Sequence, residues 1–293
     1  MSHHQPTDSE IRNRVMAIED EHYRHAFMYQ LLICGRISEV CGKYAPHGTD
    51  VIETKFTVET KKKIELDGKQ VTVIETKEEP AFLFIVKTAK RKGKLRPCAI
   101  PHNPEYEPWA KEIYEYFKKC GDDYPFMFST NKAHSVRYAQ FEAEKAFNGL
   151  EWPMIEYTRS NDVPYTEDMV LTKRFGDTGY EQYLVRLPDD TRYWTYDKEI
   201  VKRSEKVLGR WKPFRSHALR KRRTNTLRWI YAFDQYDLAT YGGWTESSRV
   251  DNMPAAMKHY LHMDISSSEE GIIILKQMAE QYFGKLCIPY GGI

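Results

Sequence analysis

Four short stretches of this sequence place chemically able side chains at helical or turn spacing. In GRISEV, Gly35 to Val40, Arg36 and Glu39 lie three residues apart, so on a helix the carboxylate can hold the guanidinium in place. In SHALRKRR, His217 and Arg220 repeat that spacing and can both face a single bound group. Trp244 follows Gly242 and Gly243 in YGGWTESS, which reads as a tight helix-to-helix turn, and its indole N–H can only donate a hydrogen bond. In MKHYLHMD, Tyr260 stands beside His259 and His262 in a short helix. Each stretch alone has a plainer reading. Arg–Glu pairs decorate many helix surfaces, His-x-x-Arg is common, a tryptophan usually belongs to a core, and Tyr260 is one of 20 tyrosines.

Charge adds a second kind of signal. The net charge is only +2, because 44 basic residues face 42 acidic ones. Yet KTAKRKGKLR, from Lys87 to Arg96, holds six basic residues and no acidic one, and RSHALRKRRTNTLR, from Arg215 to Arg228, holds another six. Two such blocks could flank a polyanion; as plain charge runs they would be solvated faces.

These residues must be positioned by a chain of 293 residues with 41% hydrophobic content, enough for one large or two modest cores. Helical spacing runs from Ser9 to Gly42, through Ile11, Val15, Ile18, Phe27, Leu31, Leu32 and Ile33. Residues 51–101 read as a small antiparallel sheet: FTVET, KKIEL, an Asp67-Gly68 hairpin signal, QVTVIET, then AFLFIVKT leading through a Gly93 turn into LRPCAIP. A helix follows over 107–120 and another over 134–148. The Asp-, Pro-, Thr- and Tyr-rich stretch 152–196 reads as an insertion, with strands at YEQYLVRL and TRYWTYD. Helices are expected again from Lys198 to the end, the last being GIIILKQMAEQYF after an acidic start at Ser268-Glu269-Glu270. The five cysteines (Cys34, Cys41, Cys98, Cys120, Cys287) form no CxxC pair, so free thiols are expected rather than a disulfide framework or zinc site. No run approaches a membrane span, and the first residues lack a secretory pattern.

Taken in order, an arginine, a lysine on a β-turn, His-x-x-Arg, a tryptophan after glycine and a tyrosine toward the C-terminus resemble the phage integrase or tyrosine recombinase family. GRISEV is similar to the family's first arginine box, HALR to its second, GGW to its Gly-His/Trp turn, and HYLHMD to its nucleophile box; the resemblance covers about residues 10–120 and 198–265. It implies a mainly helical α+β catalytic fold with a small antiparallel sheet and an inserted β-hairpin, as a single domain over 1–293. Segments 51–80 and 152–196 would be insertions, 266–293 a tail helix, and no separate N-terminal DNA-clamping domain would precede Arg36.

The same resemblance implies a site-specific recombinase that cleaves and rejoins double-stranded DNA through a 3′-phosphotyrosyl intermediate, without ATP, cofactor or metal. Tyr260 would be the nucleophile, with Tyr241 and Tyr282 as alternatives because the spacing from Trp244 is long. Arg36 and Arg220 would stabilise the phosphate, with Glu39 supporting, and His217 and Trp244 would complete the cradle. Lys87 would be the general acid, with Lys90 its substitute in another hairpin register. Lys90, Arg91, Lys92, Lys94 and Arg96, with Arg215, Lys221, Arg222 and Arg223, would contact DNA. The expected assembly is a homotetramer on DNA, with no membrane partner. The expected setting is the nucleoid in the cytoplasm of a prokaryotic or virus-infected cell, and the source an archaeal or viral mobile element. The tail helix would dock on a neighbouring subunit or pack on its own domain. Two other activities fit the pattern: a type IB topoisomerase, and a non-cleaving DNA-binding accessory protein of the same fold.

Overall fold

The computed structural model describes residues 5–66, 69–89, 93–175, 180–244 and 269–290. Its class is α+β, at 40% helix and 30% strand, with 8 helices and several small antiparallel sheets among the described residues. Strand is therefore more abundant than a mainly helical reading allows. By its internal contacts the chain divides into two compact units, Glu151–Lys212 in the smaller and Pro6–Leu150 with Pro213–Ile293 in the larger. Among the described residues no helix is long and apolar enough to cross a membrane.

In the larger unit the expected first helix is three. Helix α1 (Asp8–Met16) starts in a capping box, Thr7 and Glu10 each accepting the other's backbone N–H at 3.1 and 2.7 Å. Asp20 restarts the chain as the N-cap of α2 (Glu21–Leu32), which is buried continuously from His25 to Leu32 and forms the centre of the unit. The left-handed Cys34 (φ +51°) ends it, and α3 (Ile37–Val40) follows after one turn.

The strands foreseen as short pieces fuse into two long ones. Strand β1 (Val51–Leu66) pairs antiparallel with β2 (Lys69–Lys87) in one unbroken register from Val51↔Phe84 to Leu66↔Lys69, and Asp67 and Gly68, between them, lie outside the described residues. Strand β3 (Leu95–Pro101) completes the sheet β1-β2-β3. Tyr29 of α2 packs against Phe84, Phe117 and Phe126, tying the sheet to α4 (Ala110–Cys120). Helix α5 (Lys132–Ala146) then leads into the smaller unit.

There the expected insertion proves longer. Strand β4 (Glu151–Pro164) pairs with β8 (Ile200–Pro213), so the residues after Lys198 are strand, not helix. Between them, β5 (Val170–Phe175), β6 (Glu181–Arg186) and β7 (Arg192–Thr195) form a second sheet over a core of Tyr165, Tyr183, Val185, Leu187 and Val201.

Back in the larger unit, α6 (Ser216–Trp229) packs on α2, and α7 (Gln235–Gly242) on α6 and β3. Helix α8 (Glu269–Leu286) lies on β3, β1 and α7 of its own unit, burying Leu275, Ala279, Tyr282 and Phe283 completely. Of the two places foreseen for the tail helix, the structure takes its own domain.

Candidate functional site

The site begins at a helix end. Where α2 stops, the last carbonyls have no partner within the helix and carry the negative end of its dipole. Leu32 O accepts the Tyr241 hydroxyl at 2.5 Å, Ile33 O accepts Arg96 Nη1 at 3.0 Å, and Cys34 O accepts Arg220 Nη1 at 2.6 Å. The C-terminus of α7 is satisfied by the same two arginines: Arg96 Nη1 donates to Tyr241 O, and Arg220 Nη2 to Gly242 O at 2.7 Å. Two guanidiniums thus strap together helix ends from opposite halves of the sequence. The approach is close enough to require glycine at residue 243, which has φ +66° and where a Cβ would lie 2.7 Å from Arg96 Cδ.

At the centre is Glu39, 1% exposed. Its Oε2 accepts the Arg36 backbone N–H at 3.0 Å, and its Oε1 accepts Arg36 Nη1 at 2.9 Å and the Ala89 backbone N–H at 3.0 Å. Arg96 Nη2 lies 3.4 Å and Arg220 Nη1 3.8 Å from Oε2. Burial would raise this carboxyl's pKa, but Arg96, the two backbone donors and Arg220 together hold it below the ordinary value. Arg220 is the counterpart: burial, then repulsion from Arg96 and Arg36, pushes its guanidinium down to about 10, still cationic at neutral pH. Its carbon sits 4.6 Å from the Trp244 ring centroid, so the indole covers one face of the cation.

Arg36, Glu39, Arg220 and Trp244, picked from the sequence, are therefore brought together. Lys87 ends β2, two residues before the Ala89 amide that Glu39 fixes, and its Nζ is 2.9 Å from Asp50 Oδ2. His217 lies in the first turn of α6 and is exposed, whereas Arg220, one turn on, is buried. Tyr260 lies outside the described residues. The two alternative tyrosines do not fit a nucleophile: Tyr241 and Tyr282 are both 0% exposed. The Tyr241 hydroxyl is held by Leu32 O; that of Tyr282 donates to Pro97 O at 3.2 Å and accepts from Ala99 N at 3.1 Å.

Comparison with protein-family models, characterised proteins and solved structures finds no match. Geometry and sequence pattern alone bear on function.

Two of the basic residues read as DNA contacts are corrected. Arg96 is 2% exposed and is the strut just described, and Arg223, also 2% exposed, lies 3.7 Å from Glu107. Glu107 also takes a two-point bond from Arg12, at 2.7 and 2.9 Å, in a buried network with Asp8 that fastens α1 to α6. A basic residue inside the apolar strand LRPCAIP was the available signal for Arg96, since alternation along a covered strand leaves few places for a solvated charge. Lys94 and Arg215 are exposed, the latter 3.4 Å from Glu144, and Lys221 and Arg222 are half-buried. Lys90, Arg91 and Lys92 lie outside the described residues. Sequence reasoning missed Asp50, the partner of Lys87, and the carbonyls of Cys34 and Gly242.

Proposed function

We propose that the larger unit is the catalytic domain of a tyrosine recombinase, cutting and rejoining double-stranded DNA through a phosphotyrosine at Tyr260. One observation carries the reading. Among the described residues, Arg36, Arg96 and Arg220 share the one carboxylate of Glu39, so three positive charges stand against one negative in a largely buried cluster. Buried charge without a counter-charge is costly, and a phosphodiester, singly negative before attack and more so at the transition state, is the complementary ligand. Arg36, the most exposed of the three at 16%, and Arg220, braced against Trp244, would take its non-bridging oxygens.

In the reaction the Tyr260 oxygen forms a bond to phosphorus as the bond to the 5′ oxygen breaks. The phenol proton passes to a base, for which His217 is the candidate, and the 5′ oxygen takes a proton from the Lys87 ammonium. The product is a 3′-phosphotyrosyl bond and a free 5′ hydroxyl, whose attack in reverse rejoins a strand. Reciprocal exchange between two duplexes needs several active sites, hence a homotetramer on DNA. The site of action would be the cytoplasmic nucleoid, serving a mobile element. The chain's own residues supply every proton and charge in this scheme.

The test is a nicked suicide duplex followed by a denaturing gel. Wild-type protein should form a covalent adduct, and Tyr260→Phe should form none while binding the duplex with nearly unchanged affinity. An adduct that survives the substitution moves the nucleophile elsewhere; no adduct from the wild type leaves a DNA-binding module. Relaxation of supercoils without exchange between two sites would favour the topoisomerase.

A further inference from the structure

The smaller unit presents a sheet face that the catalytic scheme does not use. Residues directly opposite on neighbouring strands share a face, and the register pairs Thr172 with Leu184 and Leu184 with Trp194, Arg174 with Gln182, and Arg186 with Arg192. The other face carries Tyr183 and Val185, buried against Tyr165, Leu187 and Val201. The first set therefore faces solvent: Arg174, Arg186 and Arg192 are exposed, and Trp194 is 39% exposed.

This face has a definite chemistry. Its three strands carry three guanidiniums and no carboxylate at the outward positions. Arg186 is answered by Asp190 in the turn after β6. Arg174 and Arg192 form no ion pair among the described residues. Arg174 is nevertheless held in place, its carbon 3.9 Å from the Trp194 ring centroid and its Nε 3.0 Å from Gln182 Oε1. A stacked, hydrogen-bonded guanidinium has given up part of its freedom before any ligand arrives, so less remains to be given up on binding. Over the unit as a whole acids and bases nearly balance, so the excess belongs to this face rather than to composition.

We infer that the outward face of β5-β6-β7 is a docking surface for the sugar-phosphate backbone of duplex DNA. Charge complementarity selects a polyanion, and paired, planar guanidiniums suit phosphate oxygens. The inference rests on the DNA-strand-transfer reading and names a second grip for the same substrate, supplied by the inserted segment.

The test uses the full chain and a fluorescein-labelled random-sequence duplex, titrated between about 50 and 200 mM salt. Arg174→Glu with Arg192→Glu should weaken binding on the order of ten-fold or more and flatten the slope of log affinity against log salt by about 2, since each arginine would neutralise one phosphate. Arg174→Lys with Arg192→Lys should keep the slope, because the charge is kept, and lose only part of the affinity, because lysine lacks the stacked planar fork. Adduct formation at saturating duplex should match the wild type in both variants. Wild-type affinity and slope in the charge-reversed protein overturn the inference while leaving the catalytic reading intact. Equal weakening in the lysine variant overturns it too, since charge would then not be what binds. A preference of the wild type for single-stranded RNA over the duplex has the same consequence. A wild type that binds no duplex sinks both readings.

Discussion

Glu39 is where the candidate site's electrostatics are decided, and Glu39→Gln separates its two possible duties. The amide keeps the shape but removes the carboxylate charge that, among the described residues, the three guanidiniums share. Arg220 stays anchored by Cys34 O and Gly242 O, whereas Arg36 loses the ionic partner that fixes it over the N-terminus of α3. Single-turnover adduct formation should fall on the order of 10²-fold, while duplex affinity measured by anisotropy does not fall, because the cluster's positive charge has risen. A parallel fall in both would reduce Glu39 to a folding role. Lys87 makes a different prediction. Lys87→Ala should slow cleavage of an ordinary duplex yet spare one with a 5′-thio leaving group, which departs without a proton; equal slowing on both substrates removes Lys87 from the acid role. Of these residues, Arg36 with Glu39 was legible from a three-residue spacing, although Arg36 is the extended N-cap of α3 rather than part of the helix, whereas the same spacing in α6 leaves His217 exposed and Arg220 buried. Arg96 was not, because a run of basic residues looks alike whether a member solvates or braces two helix ends. Lys94, exposed, and Arg96, buried two positions later, differ in that Arg96 sits inside the apolar strand LRPCAIP, a signal that the charge run obscured.

Elements were legible where one periodicity dominates and illegible where pairing decides. The strand over 200–213 carries VKRSEKVLGRW, polar enough to pass for a surface helix, and becomes β8 only because β4 lies beside it in the sheet. Conversely, Ser9 to Gly42 has nearly continuous helical spacing, but Asp20 accepting the N–H of His22 at 2.9 Å starts a new helix, and the positive φ of Cys34 ends it. The tail helix shows why packing, not amphipathicity, settles location. The Phe283 ring packs tilted on Phe56, centroids 4.5 Å apart, and the Tyr282 hydroxyl bonds the β3 backbone on both sides of Cys98. Phe283→Ala should therefore destabilise the protein by about 3–5 kcal/mol in urea unfolding, in dilute solution as well as concentrated. A destabilisation that depends on protein concentration would mean that the helix is held by a second copy instead.

Taken whole, the molecule buries an unusual set of acids that are neutral when folded, and this fixes its response to alkali. Burial pushes the Cys98 thiol up to about 11 and the Cys41 thiol up to about 12, from an ordinary 9.0. The phenols of Tyr29, Tyr241 and Tyr282, all completely buried, are raised well above 10.0 for the same reason. A group whose pKa is raised by folding contributes stability that is complete below its unfolded value and is lost as pH rises toward the folded one. For the thiols that window opens near 9 and for the phenols near 10, because the unfolded chain releases these protons while the folded chain still retains them. One such thiol shifted by about two units corresponds to roughly 3 kcal/mol, and the five groups act in the same direction. The melting temperature followed by circular dichroism should thus be nearly level from pH 7 to 9 and fall steeply between 9 and 11. Cys41→Ala and Cys98→Ala together should move the onset upward by removing the first groups to titrate, leaving the phenols to set it. A melting temperature that holds to pH 11, or a native protein whose Cys98 reacts readily with a thiol reagent at pH 8, would contradict the sealed core on which the two strapped helix ends, and with them the site, depend.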